Sequence, residues 1–231
     1  MNGTPVRAVL LDALGTLVEL RDPAPRLRAA LLADAGIDVE LAAAERAFAA
    51  EIAYYMVNQM RGGDRAGLDA LRDDCAEVMR AALVEAAPHA ASADHAAIRR
   101  AMLAALEFDP YPDVAPALAA LRRRGLALVV VSNWDCSLPD WLDRAGIAPL
   151  IDGAVSSAAV GAAKPAAAVF EAGLRLAGCA AAEALFVGDS VDNDVLGARA
   201  AGLRGVLVQR HGDPPAGVEA VDSLERVADL L

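Results

Sequence analysis

One stretch near the start indicates the fold of this 231-residue chain: Val9-Leu10-Leu11-Asp12-Ala13-Leu14-Gly15-Thr16-Leu17. A short apolar run that ends at Leu11 predicts a buried strand, and the carboxylate of Asp12 follows directly. Gly15 permits a tight turn, and Thr16 places a hydroxyl beside that carboxylate. An acid at the carboxyl end of a buried parallel strand lies where open α/β sheets form their ligand crevice. We therefore take Asp12 as the first candidate functional residue.

The composition indicates a large core and an acidic surface. Hydrophobic residues make up 56% of the chain, which favours a folded protein over a disordered one. The net charge of −11 argues against nucleic acid or an anionic membrane as the main partner. No secretory signal opens the chain and no apolar run approaches membrane-spanning length, so we expect a cytoplasmic protein. Cys75, Cys136 and Cys179 form no CxxC pair, and we interpret them as reduced thiols.

Two kinds of pattern divide the chain. Residues 1–18 and 109–231 alternate between helices and continuous apolar strands, which predicts an α/β core with a doubly wound parallel sheet. Residues 19–108 show four successive helical patterns without a strand, which predicts an inserted four-helix bundle. After the insert, the core strands are expected at Leu126–Val131, Leu150–Val155, Ala184–Val187 and Val206–Val208.

Four polar clusters lie directly after predicted strands or open predicted helices. They are Asp12 with Thr16, Ser132 with Asn133, Lys164, and Asp189 with Asp194. Each has an ordinary interpretation as a turn or a helix cap. Because parallel strands place their carboxyl ends at one edge of a sheet, however, we expect all four clusters to converge there. The position of Lys164 is informative because it is the one lysine in the chain, against twenty arginines.

With these motifs the chain resembles the haloacid dehalogenase-like (HAD) superfamily of hydrolases. The matching segments are Asp12-Ala13-Leu14-Gly15-Thr16-Leu17, Ser132-Asn133, Lys164-Pro165, Gly188-Asp189-Ser190-Val191-Asp192-Asn193-Asp194 and the tail Gly197–Gly202. The resemblance covers nearly the whole chain and implies a Rossmann-like core. The helical insert lies where one branch of the superfamily carries its cap, directly after the first core strand.

The resemblance implies a role for each cluster. Asp12 would be a nucleophile that forms a covalent ester, which water later hydrolyses. Asp189 opposite Asp12 suits Mg²⁺, which prefers hard oxygen ligands. By resemblance, the backbone carbonyl of Leu14 also binds the ion and Asp194 supports it. Thr16 and Lys164 would complete the catalytic set, and the substrate would contact Ser132, Asn133 and Trp134.

Position 14 departs from the phosphatases of that superfamily, which carry a second aspartate there as general acid and base. Leu14 cannot transfer a proton, and such transfer is typically worth about 10²- to 10⁴-fold in rate. One explanation is that another acid substitutes, with Glu19 and Asp22 as candidates, or that the substrate has a good leaving group. On the inserted helices, Tyr54, Tyr55 and Asn58 are candidates to line a closed site.

A second explanation is a resemblance to the 2-haloacid dehalogenases, which also lack that aspartate. They share Ser-Asn after the second strand and use a cap arginine, for which Arg28 and Arg46 are candidates. They work without a metal, however, and lack the Gly188-Asp189 pair. The phosphonatase branch needs a cap lysine and is excluded, because Lys164 lies in a core motif.

A third explanation is a weakened protein that binds a phosphorylated ligand without turnover. The expected function remains Mg²⁺-dependent hydrolysis of a small phosphorylated metabolite through an aspartyl-phosphate on Asp12. The oligomeric state is left open, with a homodimer among the alternatives.

Overall fold

The computed structural model describes residues 5–231, which form two compact units. One unit comprises the chain up to Glu19 together with Asp109–Leu231, and the other comprises Leu20–Phe108. Among the described residues, no helix combines the length and the apolar character that crossing a membrane would require. Within residues 5–231, Cys75, Cys136 and Cys179 form no disulfide.

The main sheet explains how distant polar residues come together. The strands of the described residues are β1 (Ala8–Leu11), β2 (Val18–Leu20), β3 (Phe108–Pro110), β4 (Ala127–Ser132), β5 (Gly153–Ser156), β6 (Ala184–Gly188), β7 (Arg204–Val208) and β8 (Ala220–Val221). Six of them form one parallel sheet in the order β5-β4-β1-β6-β7-β8, while β2 and β3 pair separately. The predicted α/β fold with a parallel sheet is confirmed.

Strand β1 lies at the centre of this sheet, and its four residues are fully buried. Its last residue, Leu11, is in register with Val130 of β4 and Val187 of β6. Asp12 and Asp189 therefore follow adjacent strands at the same edge, in the position that parallel pairing gives to a ligand crevice.

Helices cover the sheet and build the second unit. They are α1 (Pro23–Ala35), α2 (Leu41–Asn58), α3 (Arg65–Leu83), α4 (His95–Ala105), α5 (Val114–Arg123), α6 (Leu138–Arg144), α7 (Ser157–Val160), α8 (Ala167–Ala177) and α9 (Gly197–Ala200). Helix α8 packs closely against the sheet: a Cβ at Gly173 would lie 2.8 Å from Leu10 and 2.6 Å from Val131. The rings of Phe170 and Phe186 meet edge to face, with centroids 5.0 Å apart.

The unit Leu20–Phe108 contains α1 to α4 around its own apolar core. On α3, the buried residues Leu71, Cys75 and Met79 recur at the three-to-four-residue spacing of one helix face. The side chain of Asp64 caps this helix by accepting a hydrogen bond from the Gly67 amide at 2.8 Å. Helical periodicity and capping thus account for the local structure of this unit.

The structure corrects several predicted boundaries. The strand predicted over Leu150–Val155 is Gly153–Ser156, because Ala148–Leu150 forms a 3₁₀ turn. After Asp189 a π-helical turn, Val191–Leu196, precedes α9. The small β2–β3 sheet was not predicted, since three-residue strands are too short to show a periodic pattern.

Candidate active site

Asp12 is held at the end of β1 by backbone geometry. Its amide donates to the Val187 carbonyl at 2.9 Å, which ties the residue to β6. Gly15 has φ of 82°, and a Cβ at this position would lie 2.2 Å from Asp189 Oδ2. Glycine is required here for both its left-handed backbone and its missing side chain. The turn can therefore bring the Asp12 and Asp189 segments into contact.

Lys164 links two buried carboxylates. Its Nζ donates to Asp12 Oδ1 and to Asp194 Oδ1, each at 2.6 Å, and all three side chains are at most 10% exposed. Burial lowers the pKa of Lys164, but the two carboxylates outweigh burial and leave that pKa above its ordinary value. The ammonium is therefore charged and fixed between its two partners.

Three carboxylates face this single ammonium. One oxygen each from Asp12, Asp189 and Asp194 lies within 4.8 Å of the others. Asp189 is the exposed member, although atoms around its carboxylate partly desolvate it. This desolvation, followed by repulsion from Asp12 and Asp194, raises the pKa of Asp189 to about 6. The cluster has more negative charge than Lys164 can neutralise.

Asp194 is oriented by the turn that carries it. Its Oδ2 accepts a hydrogen bond from the Ser190 amide at 2.9 Å, and burial is the main cause that raises its pKa. A Cβ at Gly188 would lie 2.3 Å from Asp194 Cγ, so a side chain at position 188 would displace this carboxylate. The hydroxyl of Thr16, fully buried, reaches Asp189 Oδ1 at 3.5 Å.

The predicted substrate contacts after β4 have structural partners. The Asn133 side chain donates to the Lys164 carbonyl at 3.1 Å and accepts from the Lys164 amide at 2.7 Å. Asn133 thus fixes the backbone of the lysine that bridges the carboxylates. Ser132 is 2% exposed at the end of β4, and Trp134 is 7% exposed, with its amide donating to Ser157 Oγ at 3.1 Å.

Candidates in the helical unit also have partners within that unit. Asp22 caps α1, accepting a hydrogen bond from the Ala24 amide at 3.2 Å. Arg28 pairs with Asp38 at 3.8 Å, and the two line a surface cavity together with Arg46. Tyr54 donates to Asp74, and Asn58 donates to the Tyr54 carbonyl. Glu19, which belongs to the other unit, is exposed.

One group next to the site was missed by the sequence analysis. The Arg210 guanidinium donates to the Thr16 carbonyl and to Asp113 Oδ2, each at 2.7 Å, and lies 3.9 Å from the centre of the Tyr111 ring. The signal that could have found Arg210 is its position: it follows the last long strand, β7, at the same sheet edge.

A comparison with protein families agrees with this geometry. Residues 6–202 match the model of the haloacid dehalogenase-like hydrolase family. The match covers the greater part of the chain, and the chain belongs to this family of hydrolases.

The curated relatives include several phosphatases. A phosphoserine phosphatase of Thermus thermophilus is 42% identical over 52% of this chain and 48% of its own length. A glyceraldehyde 3-phosphate phosphatase of Methanothermobacter thermautotrophicus is 37% identical over 43% of this chain and 44% of its own. The chain thus spans about half the length of the curated relatives it matches.

Solved structures share the fold across almost the whole chain. A HAD-hydrolase of Bacillus subtilis, solved bound to magnesium, has a TM-score of 0.68 with 18% identity, covering 98% of this chain and 99% of that one. An L-2-haloacid dehalogenase of Xanthobacter autotrophicus has a TM-score of 0.66 with 21% identity, covering 97% and 98%. At these identities the likeness establishes the fold alone.

Proposed function

We propose that the chain hydrolyses a small phosphorylated metabolite through an aspartyl-phosphate on Asp12, with Mg²⁺ as its cofactor. The observation that carries this proposal is the cluster of Asp12, Asp189 and Asp194, whose oxygens lie within 4.8 Å of one another beside Lys164. The phosphatase relatives support the same reaction class.

The donor set fits Mg²⁺ on chemical grounds. All three side chains offer hard carboxylate oxygens, and their combined negative charge is one that a cation would neutralise. Asp12 and Asp189 would hold the ion with the Leu14 carbonyl, and Asp194 would support it. When bound, Mg²⁺ supplies positive charge that offsets the phosphoryl oxygens.

The chain's own residues would perform the transfer. An Asp12 carboxylate oxygen attacks phosphorus and forms an acyl phosphate, while the bond from phosphorus to the leaving-group oxygen breaks. The Lys164 ammonium orients Asp12 and neutralises charge as the phosphoryl group arrives. Water then attacks phosphorus, which releases inorganic phosphate and restores Asp12. Thr16 and Ser132 supply hydroxyls for the transferred group.

Leu14 restricts the proposed substrates to those with a good leaving group. The residue is 43% exposed, and its side chain carries no transferable proton. A substrate whose leaving group is stable as an anion does not need a proton donor at this point. Acetyl phosphate and p-nitrophenyl phosphate are therefore the appropriate first probes.

A dehalogenase is the second candidate, and Leu14 is the observation that favours it, because its side chain carries no transferable proton. In that reaction Asp12 would attack carbon and displace halide, which leaves without a proton. Three clustered carboxylates have no evident use there. A protein that binds a phosphorylated ligand without turnover would need neither a nucleophile nor a lysine fixed on it.

The deciding experiment compares two aspartates of one turn. We expect Asp189→Asn to lower Mg²⁺-dependent phosphate release from acetyl phosphate by at least about 10²-fold, because a group clustered with the nucleophile is removed. Asp192→Asn is the matched control: it removes the same charge from an exposed residue outside the cluster and should retain activity.

Each alternative has its own outcome in the same assay. Halide release from L-2-chloropropionate in EDTA, without phosphate release, would identify the dehalogenase. Equal activity of Asp12→Asn and the wild-type protein would refute the covalent mechanism in either form. Binding of phosphate esters without any turnover would identify a binding protein.

A further inference from the structure

Arg210 connects three separate segments of the α/β unit. It lies two residues after β7, and its guanidinium donates to the Thr16 carbonyl in the turn after β1. A second nitrogen donates to Asp113 Oδ2, next to the start of α5. The guanidinium also lies 3.9 Å from the centre of the Tyr111 ring, a cation–π distance. One side chain therefore reaches both chain segments that flank the inserted residues.

Asp113 is a rigid anchor for this arginine. Besides Arg210, its Oδ2 accepts hydrogen bonds from the Leu224 amide at 2.8 Å and from Ser223 Oγ at 3.0 Å. Burial would raise the pKa of Asp113, but the hydrogen bonds from Arg210 and Leu224 outweigh it and hold that pKa below its ordinary value. Asp113 is therefore ionised at neutral pH, and its position is fixed by the C-terminal segment.

The guanidinium hydrogen-bonds both to this fixed carboxylate and to the turn that carries Asp12. The Asp113–Arg210 pair is largely buried, with 13% and 16% of the two side chains exposed, so solvent screens it weakly. The Thr16 carbonyl is four residues from Asp12, and the Thr16 hydroxyl reaches Asp189. A charge-assisted hydrogen bond at this carbonyl restrains the segment that presents the nucleophile.

We propose that Arg210 is a positioning residue that holds the Asp12–Thr16 turn in the geometry needed for attack. The positioning role rests on the proposed function, in which Asp12 attacks the substrate. The restraint of the turn by Arg210 is a property of the fold alone. A displacement of about 1 Å in a reacting group can lower a rate by 10²-fold. We therefore expect loss of Arg210 to lower kcat by about 10- to 100-fold with little change in KM.

The test compares Arg210→Met with Arg204→Met. Arg204 is the first residue of β7, at the opposite end of the strand from Arg210, and its guanidinium pairs with Glu219 and donates to the Leu230 carbonyl instead of to the turn. Hydrogen exchange of a peptide spanning residues 12–18 gives a readout without substrate or metal. The relevant amides are those of Leu17 and Val18, which donate to the Ala13 carbonyl. We expect their exchange to accelerate at least about tenfold in Arg210→Met and to stay unchanged in Arg204→Met.

Kinetics and rescue complete the test. Phosphate release from acetyl phosphate should show the fall in kcat in Arg210→Met but not in Arg204→Met. In Arg210→Ala, free guanidinium at sub-denaturing concentration should restore part of kcat, since the Tyr111 ring and Asp113 still frame its site. If Arg210→Met does not fold, Arg210→Lys, which keeps the charge but loses one donor arm, is measured in the same ways.

The outcomes separate this inference from the proposed function. Exchange that is unchanged in Arg210→Met, or equally faster in Arg204→Met, overturns the restraint. Faster exchange with unchanged kcat overturns the positioning role. Absence of phosphate release from the wild-type protein instead refutes the proposed function, and the exchange measurement still decides whether Arg210 restrains the turn.

Discussion

The two units of this molecule bury acidic side chains in different surroundings. In the α/β unit, the carboxylates of Asp12 and Asp194 share the Lys164 ammonium at 2.6 Å. In the helical unit, Glu51 is only 6% exposed, and its hydrogen-bonding neighbour is the Cys75 thiol. Burial raises the pKa of Glu51, and for Cys75 burial and then the Glu51 charge raise the thiol pKa. The buried carboxylates of the α/β unit thus have a cationic partner, whereas the hydrogen-bonding partner of Glu51 is a thiol.

A buried acid contributes differently to the stability of each unit. A carboxylate paired with an ammonium is fixed in direction, which suits a nucleophile, but removing its partner leaves an uncompensated charge. A carboxylic acid beside a thiol has no such partner to lose, and its ionisation opposes folding. Substituting one charged residue at a time tests whether the cationic partner accounts for this difference between the units.

The largest effect is expected for Lys164→Met. In EDTA at pH 7, this variant should lose about 3–5 kcal/mol of unfolding free energy, because Asp12 and Asp194 are left buried and unpaired. Urea denaturation monitored by far-UV circular dichroism measures the change. The double variant with Asp194→Asn should recover part of the loss, since one of the two unpaired charges is removed. A loss below about 1 kcal/mol would show that the ammonium is not needed to compensate the carboxylates.

A smaller effect of opposite sign is expected for Glu51→Gln. At pH 7 this variant should be more stable than the wild-type protein by about 0.5–2 kcal/mol, the usual range for a stabilising substitution. The reason is that burial disfavours the charged form of Glu51, so this carboxyl group destabilises the folded chain at pH 7, whereas glutamine carries no charge. Urea midpoints measured at several pH values give the difference between the two proteins.

The pH dependence of that difference has a definite sign. Because the pKa of Glu51 is higher in the folded than in the unfolded chain, the folded chain binds more protons between the two values. Wild-type stability relative to Glu51→Gln should therefore be highest below the unfolded pKa and fall as pH rises through the folded pKa. The other titrating groups are common to both proteins, and the Cys75 thiol, whose pKa burial raises, stays protonated in both over this acidic range. A difference independent of pH would contradict a buried, titrating Glu51.

The α/β fold could be predicted from the sequence because local patterns determine most of it. Continuous apolar runs such as Leu126–Val131 appear as strands, and breaks at Gly and Pro appear as turns. Features that depend on tertiary contact could not be predicted. Strand β8 has two residues and exists because β7 offers it an edge, and the π-helical turn Val191–Leu196 depends on Ser190, which accepts a hydrogen bond from the Asn193 amide.

The candidate site could be predicted only as a set of residue types at one sheet edge. The sequence placed Asp12 and Asp189 at strand ends and Lys164 directly before a predicted helix, and the geometry brings the three together. The sequence could not show that the Asn133 side chain hydrogen-bonds to the Lys164 backbone, because that contact joins residues 31 positions apart. Arg210 was missed for the same reason: its partners lie 97 and 194 residues away.

The smallest effect is expected for Arg99→Met, which removes a cation from an exposed acidic cluster in the helical unit. Arg99 donates to Asp69 Oδ1 at 2.7 Å and to Asp73 Oδ1 at 2.8 Å, with these carboxylate side chains 63% and 51% exposed. Ion pairs of this kind contribute about 0.2–1 kcal/mol, because water already solvates both charges. Urea denaturation should detect a loss in that range at low salt and almost none in 1 M NaCl, where screening acts within about 3 Å. Arg100→Met is the matched control, since Arg100 is exposed on the same helix and has no ion pair among residues 5–231. A loss as large as that of Lys164→Met would mean that burial does not decide how strongly a charged pair stabilises this fold.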